Sequence, residues 1–326
     1  MPQLGRDEIL TQPPLGNKEE IAAPWLVKTD AAGSPLAWTH TLQQYLQLTK
    51  PRIATLIVIS TAVGYYFGEG NSLNLLAFFH TLLGTALMAG GSATLNQWYE
   101  RDIDAKMNRT CRRPIPAGTI SPRHALYFGI ALSLFGLLEL WFCANALAAA
   151  LSFLTSFGYL VFYTPLKRKG PICTSIGAIP GAMPPLIGFA AARGHLALDA
   201  WILFGILFLW QFPHFHAIAW MYREDYERGG VKMLAVVQPN GPALSREILI
   251  TLLLLIPVTL APYFVHMVGI VYFIAALVLG LLFLYFGVRI CQERTYSHAR
   301  RLLLASVVYL PLLLAFLVLD KPKFTF

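Results

Sequence analysis

The stretch from residue 74 to residue 104, NLLAFFHTLLGTALMAGGSATLNQWYERDID, decides the fold of this chain. Residues 74–98 carry no acidic or basic side chain apart from His80. They exceed the roughly 20 residues that an α-helix needs to cross a ~30 Å hydrocarbon core. The stretch then becomes acidic at Glu100. It therefore predicts a transmembrane helix that brings acidic side chains to one surface of a membrane.

Similar apolar runs recur along the rest of the chain. They lie near residues 53–68, 74–98, 124–142, 146–163, 172–192, 198–219, 247–265, 268–288 and 302–319. Only 13% of the 326 residues are charged, whereas a soluble domain usually has about 25%. We therefore expect an all-α integral membrane protein, a bundle of about nine transmembrane helices with cytoplasmic cap loops. This domain would cover residues 46–326.

Residues 1–45 have a different composition from the rest. They are richer in Pro, Gly, Asp and Glu and have no sustained apolar period, so we expect a disordered cytoplasmic extension. They have neither the basic start nor the apolar stretch of a signal peptide. Their first 40 residues contain one arginine, Arg6, beside several acids, unlike a mitochondrial transit peptide. The expected location is a bacterial inner (cytoplasmic) membrane.

The positive charge lies almost entirely on one side of the predicted bundle. If the N-terminus is cytoplasmic, the tail and four loops hold 22 of the 25 Lys and Arg residues, and the loops lie near 99–123, 164–171, 220–246 and 289–301. The opposite side keeps only Arg193, Lys321 and Lys323. Cytoplasmic loops of membrane proteins are enriched in Lys and Arg. The basic charge is thus explained by a lipid bilayer, and no nucleic-acid partner is expected.

The acidic end of residues 74–104 has a regular spacing. Asn96, Glu100 and Asp104 are four residues apart and share one helix face. Carboxylate and amide oxygens suit Mg²⁺, which usually also binds substrate phosphates. Candidates for binding a diphosphate follow at once in the sequence: Arg109, Arg112 and Arg113. The alternative is a solvated helix end whose acids balance these arginines.

The same segment also resembles a known signature. Asn96–Asp104, followed by Arg109-Thr110 and Arg113-Pro114, is similar to the first motif of the UbiA-type intramembrane prenyltransferases. The run ERDIDAKMNRT from Glu100 to Thr110 looks most like the heme O synthase branch. Glu100 replaces the usual Asp, which keeps the charge and lengthens the reach. The resemblance covers residues 45–320 and implies nine helices around a lipid-accessible cavity.

Two further segments resemble the same family. Tyr163-Thr164-Pro165-Leu166-Lys167-Arg168 is similar to a recurring loop element, which implies that Lys167 and Arg168 are catalytic and bind the diphosphate. Judged by charge alone, these residues could equally be a topology anchor. The run GAIPGAMPP, residues 177–185, is similar to a segment of the heme-using branch. Its glycines and prolines predict either close helix packing or a cavity lining.

The sixth apolar run ends in WQFPHFH, residues 210–216. Polar groups at this depth in a membrane indicate a functional site, and the segment resembles the heme-using branch. We therefore predict that His214 and His216 contact heme. Glu224 and Asp225 follow, and they could bind a second Mg²⁺ or pair with neighbouring arginines.

The resemblance implies a specific reaction. A farnesyl group would pass from farnesyl diphosphate to a vinyl group of protoheme (heme b) with addition of water, giving heme O and diphosphate. Mg²⁺ would be the cofactor, held by the catalytic residues Asn96, Glu100 and Asp104. Aromatic side chains would surround the allylic cation, and the candidates are Trp98, Tyr99, Phe157, Tyr163 and Trp210. The family's pathway implies a heme A synthase or a terminal oxidase assembly factor as partner.

Two other functions are compatible with parts of the sequence. Prenyl transfer to an aromatic quinone precursor fits the first motif, but residues 210–216 argue against it. A membrane transporter would show broken helices, charges near the midplane and repeats. Here the charges gather at one face, and no inverted repeat is evident.

Overall fold

The computed structural model describes residues 35–69, 73–239 and 241–322, and within them all regular structure is helical. The contacts divide the chain into residues 1–41 and residues 42–326. The helices are α1 (Pro35–Leu48), α2 (Pro51–Gly68), α3 (Leu75–Asp104), α4 (Pro122–Cys143), α5 (Ala146–Leu166), α6 (Cys173–Arg193), α7 (Leu198–Met221), α8 (Arg223–Arg228), α9 (Leu234–Val237), α10 (Pro242–Phe264), α11 (Ile270–Gln292) and α12 (Tyr296–Leu319).

Eight of the described helices are long and apolar enough to cross a membrane: α3, α4, α5, α6, α7, α10, α11 and α12. Helix α2 has 18 residues, which corresponds to about 27 Å of helix. Helix α2 falls just short of the hydropathy of these eight helices because it begins with Pro51 and Arg52 and ends near Tyr65 and Tyr66. The prediction of an all-α membrane protein with about nine spanning helices is therefore confirmed.

The N-terminal extension differs in part from the prediction. Residues 35–45, which we expected to be disordered, form most of helix α1. The end of α1 is held by apolar contacts. Leu48 packs with Ile115 and Ile120, and the Tyr45 ring lies 4.9 Å from that of Phe128. The other residues of the predicted extension lie outside the described part of the chain.

Polar residues in the sequence fix where several helices begin. The side chains of Asn74, Ser121, Asn145 and Thr295 each accept a hydrogen bond from a backbone amide in the first turn of the following helix. Proline stands at the start of α2, α4 and α10, where its missing N–H costs nothing. These residues therefore mark where the helices that follow them begin.

Helices α2 and α6 are in backbone contact. A Cβ atom on Gly188 would lie 1.9 Å from the carbonyl oxygen of Thr61, and one on Gly64 would lie 2.1 Å from that of Pro185. Small residues permit this close approach of membrane helices. Helix α6 is also interrupted at Met183, ahead of Pro184 and Pro185. The contact packs the second half of α2 against α6.

Candidate functional site

Two adjoining cavities lie inside the bundle. The polar cavity, of about 90 Å³, is at the end of α3 that carries the acidic residues. The apolar chamber, of about 460 Å³, lies among α2, α3, α5, α6 and α7 and is of a size usual for small-molecule sites. Lys50, Tyr159 and Tyr163 line both cavities. A ligand with a charged head and an apolar tail could therefore occupy them together.

The polar cavity is built on one face of α3. Asn96, Glu100 and Asp104 are all buried and line it, as their four-residue spacing predicts. Asp102 points away, with 83% of its side chain exposed beside Arg101. The helical period thus separates the cavity-lining carboxylates from a solvated one.

Each buried carboxylate has a cationic partner. Lys167 Nζ lies 2.7 Å from Glu100 Oε1, and Arg113 Nη1 lies 2.7 Å from Asp104 Oδ2. Burial disfavours the charge of Lys167, but Tyr163 and Glu100 outweigh it and hold the pKa of Lys167 well above its usual range. The ammonium group also lies 4.5 Å from the centre of the Tyr163 ring. Charges buried in this way need such partners.

Lys50 is part of this site, although it belongs to none of the sequence motifs described above. Its Nζ donates a hydrogen bond to Asn96 Oδ1 at 2.9 Å. Its backbone is left-handed, with φ 49° and ψ 62°, directly before Pro51. A non-glycine residue in this region is strained, and such strain concentrates at functional sites. Burial, followed by repulsion from Arg113, lowers the pKa of Lys50 to about 7.

The three α3 residues fit a magnesium ion. Asp104 Oδ1 is buried and has no hydrogen-bonding partner among the described residues. The carboxylate of Glu100 and the amide oxygen of Asn96 share the same cavity. Oxygen donors of this kind, next to basic side chains, are what Mg²⁺ with a phosphate ligand requires. Without a bound cation, burying a carboxylate oxygen that has no hydrogen-bonding partner would cost free energy.

Asp225, which we considered as a ligand of a second Mg²⁺, instead binds the loop after α3. Its two oxygens accept hydrogen bonds from the backbone amides of Asn108 and Arg109, at 3.1 and 3.2 Å, and it pairs with Arg228. Burial opposes its ionisation, but these hydrogen bonds lower the pKa of Asp225 below its usual range. Glu224 is exposed, and neither acid lines the polar cavity. The arginine-pairing alternative therefore describes Asp225, and we do not assign either residue to a second metal.

The predicted basic residues separate into two groups. Arg109, Arg113 and Lys167 line the polar cavity. The guanidinium of Arg109 lies 4.8 Å from the centre of the Tyr222 ring. Arg112 and Arg168 are exposed and do not line the cavity. The turns of the two loops direct these neighbours outward, so we no longer place them against the diphosphate.

Of the five aromatic residues proposed from the sequence, two line the apolar chamber. These are Tyr163 and Trp210. Trp98 packs instead beneath the end of α1, while Tyr99 and Phe157 are 47% and 43% exposed. The sequence does not show which side of a helix meets a cavity when both sides are apolar.

A π-helical turn in α5 presents two tyrosines to both cavities. It covers Gly158–Tyr163, and the rings of Tyr159 and Tyr163 are 5.4 Å apart. Such turns are rare and often occur at functional sites. Tyr159 was not identified from the sequence. Gly177 on α6 leaves room for Tyr163, since a Cβ there would lie 2.4 Å from the tyrosine ring.

The two histidines of α7 are separated by the structure. His214 lines the apolar chamber, and its ring stacks on Trp210 with centres 4.8 Å apart. His216 is buried on another side, where its Nε2 lies 2.9 Å from Glu247 Oε2, and it does not line the chamber. Of the two histidines, we therefore keep only His214 as a candidate for contact with heme.

A membrane bundle with a polar, basic cavity above an apolar chamber defines an intramembrane prenyltransferase. The model of the UbiA prenyltransferase family matches residues 57–316, and the chain belongs to this family.

Named relatives share most of the chain. It is 51% identical over 290 residues to a protoheme IX farnesyltransferase of Solibacter usitatus, covering 86% of this chain and 99% of the relative. The protein of the same name from Koribacter versatilis is 46% identical, with 86% and 94% covered. That from Aquifex aeolicus is 39% identical, with 88% and 98% covered.

Solved structures share the fold at low identity. A digeranylgeranylglyceryl phosphate synthase superposes with a TM-score of 0.73 at 19% identity, covering 86% of this chain and 98% of that one. A UbiA homolog from Archaeoglobus fulgidus bound to DMAPP and Mg²⁺ gives 0.62 at 18% identity, with 85% and 98% covered. At this identity the likeness concerns the fold alone.

Proposed function

We propose that this protein transfers the farnesyl group of farnesyl diphosphate to a vinyl group of protoheme, with addition of water, to give heme O and diphosphate. The relatives of highest identity described above bear the name protoheme IX farnesyltransferase. The observation that carries the proposal is the junction of the two cavities at Lys50, Tyr159 and Tyr163. A prenyl diphosphate has the same division into a charged head and an apolar tail.

The basic residues of the polar cavity would bind the diphosphate. Lys50, Arg113 and Lys167 approach it from the start of α2, the loop after α3 and the end of α5. Their positive charges, which the fold places before the ligand binds, would stabilise the negative charge that grows on the leaving group. Asn96, Glu100 and Asp104 would hold Mg²⁺, which acts as a Lewis acid toward phosphate oxygens when bound.

The apolar chamber would hold the prenyl chain and exclude stray water. Tyr159 and Tyr163 lie where the chamber meets the polar cavity, so their rings can face the allylic carbon as positive charge develops there. His214 and Trp210 also line the chamber, and unlike the two tyrosines they do not line the polar cavity. We assign that part to protoheme.

A product assay tests this function. Purified protein in lipid vesicles is incubated with protoheme, farnesyl diphosphate and Mg²⁺, and the hemes are identified by chromatography and mass. Farnesylated heme is expected. Parallel reactions contain an aromatic quinone precursor in place of protoheme. Prenylation of that ring, with no farnesylated heme, would overturn the proposal.

We also propose that the N-terminus and the loop between α3 and α4 face the cytoplasm of a bacterial cell. The distribution of 22 of 25 basic residues supports this orientation. Arg112→Cys and Arg193→Cys, in a chain whose native cysteines are replaced by serine, should be labelled from opposite sides of sealed inner-membrane vesicles. Labelling of both from one side would refute it. A heme A synthase or terminal oxidase assembly factor as partner stays a prediction, drawn from the family's pathway alone.

A further inference from the structure

A hydrogen-bonded chain joins α7 to α12 at the wall of the apolar chamber. His214 Nδ1 lies 2.8 Å from Ser306 Oγ, and Ser306 Oγ lies 2.6 Å from the carbonyl oxygen of Leu303. A serine hydroxyl has a single proton, and two oxygens this close need that proton between them. The hydroxyl therefore donates to Leu303 and accepts from His214.

This arrangement fixes the tautomer of His214. Because Nδ1 carries the proton, Nε2 of the neutral ring keeps its lone pair. Trp210 holds the ring in place: it stacks on His214 at 24°, and its Nε1 donates to the carbonyl oxygen of Ser306 at 2.9 Å. Within the described residues Nε2 has no hydrogen-bonding partner, and His214 lines the chamber. The apolar chamber thus contains a ring nitrogen, Nε2 of His214, that is held in a fixed orientation and is free to accept a proton.

Few other groups of the chamber can accept a proton. No carboxylate lines it among the described residues, and its charged lining residues there are Lys50 and Arg52. Lys50 directs its amine to Asn96 in the polar cavity, where the diphosphate would keep it protonated, and an arginine stays protonated. His214 is the uncharged base that remains.

We propose that His214 Nε2 accepts the proton released when water adds to the reacting vinyl group, and that Ser306 is the residue that positions it. This inference rests on the proposed function. The vinyl π electrons form a bond to C1 of the farnesyl group while the C1–O bond breaks and diphosphate leaves with its electron pair. The cation then lies on the vinyl carbon next to the pyrrole.

Water completes the reaction from this cation. Its oxygen forms the new C–O bond, and the protonated alcohol transfers one proton to Nε2. The products are a neutral hydroxyl group and an imidazolium ion. A protonated alcohol is a far stronger acid than imidazolium, so even a buried imidazole accepts its proton. The positive charge of the ring is balanced by the diphosphate released into the adjoining polar cavity.

The tautomer is tested by nitrogen-15 NMR of protein labelled at histidine, with the His214 signals assigned from their loss in His214→Ala. We expect Nδ1 protonated and Nε2 unprotonated in the wild type and in Ser306→Thr, and a mixture of tautomers in Ser306→Ala. Ser60→Ala is the matched control, since Ser60 lines the same chamber and donates to its own helix at Leu56. A wild-type ring protonated at Nε2 would overturn the inference.

Kinetics test the catalytic role. General-base catalysis contributes about 10²–10⁴-fold, so we expect kcat of His214→Ala to fall by that factor and to recover partly with added imidazole. Ser306→Ala should lower kcat about tenfold or more with KM for both substrates unchanged, and Ser306→Thr should restore it. Wild-type rates in Ser306→Ala, or a heme absorption spectrum showing His214 bound to iron, would refute the role. Absence of farnesylated heme in the wild type would instead refute the proposed function.

Discussion

The ammonium group of Lys50 lies 2.9 Å from Oδ1 of Asn96, although the two residues are 46 positions apart. This contact joins the start of α2 to the acidic face of α3, where the polar cavity meets the apolar chamber. In the proposed reaction, the bond between the farnesyl carbon and the diphosphate breaks at this junction. Lys50 is therefore placed to stabilise the leaving group.

Replacement of Lys50 by alanine is expected to lower kcat about 10²–10³-fold, because a preorganised donor to developing negative charge typically contributes that much. Lys50→Arg should retain part of the activity because the charge remains. The control is Lys106→Ala, which removes an exposed cation that lines neither cavity. The measurement is steady-state kinetics in lipid vesicles. Equal losses in both variants would mean that the general positive charge matters and the Asn96 contact does not.

The contrast between Asn96 and Lys50 shows what the sequence can reveal. The face containing Asn96, Glu100 and Asp104 follows from the helical period, which is a local property. Lys50 reaches that face because the residues just before it pack on α3, where Gln97 Nε2 donates to the carbonyl oxygen of Leu48 at 2.8 Å. No local sequence pattern encodes the contact between Lys50 and Asn96, because it depends on how distant segments pack. A basic residue directly before a proline at the start of a span was the one available signal.

Asp104→Asn is expected to reduce turnover at least 10³-fold while the protein still accumulates in the membrane. The substitution removes the charge of a carboxylate whose Oδ1 has no hydrogen-bonding partner among the described residues and weakens its pair with Arg113. Isothermal titration with Mg²⁺ and a farnesyl diphosphate analogue should show weaker binding. Asp102→Asn serves as the control because Asp102 is 83% exposed. Full activity in the Asp104 variant would remove this residue from the metal site.

Gly177→Ala is expected to lower kcat/KM for farnesyl diphosphate more than tenfold. The new methyl group would lie 2.4 Å from the Tyr163 ring and push it from the junction of the cavities, and overpacking of this kind typically costs about 1–3 kcal/mol. Gly158→Ala is the matched control, since a Cβ there has nothing within 4 Å. If both variants behave alike, the position of Tyr163 does not limit the reaction.

The residues that were misplaced from the sequence share a cause. His216, Arg112 and Arg168 each adjoin a residue that does line a cavity, in the same motif. A motif identifies a segment, whereas the side of the helix or turn that faces the cavity depends on packing. His216 lies two residues from His214, about 200° around the helix, so one can line the chamber while the other pairs with Glu247.

Asp225→Asn is expected to free the loop after α3 and to lower both stability and activity. Asp225 accepts hydrogen bonds from the amides of Asn108 and Arg109, so trypsin should cleave the variant faster at Arg109 and Arg112. Its pKa is lowered in the folded state. The stabilisation is therefore present above the unfolded pKa of about 3.9 and is lost as pH falls through the folded value.

The difference in Tm between wild type and Asp225→Asn should accordingly be largest near neutral pH and shrink in acid. Glu224→Gln is the control, because Glu224 is exposed beside it and should change neither proteolysis nor Tm. The Mg²⁺ dependence of kcat separates this structural role from the second-metal alternative. A raised Mg²⁺ requirement in both variants, with unchanged proteolysis, would favour metal binding by these acids. A raised rate of cleavage in Asp225→Asn alone supports the loop anchor, because only the loss of the two amide contacts releases that segment.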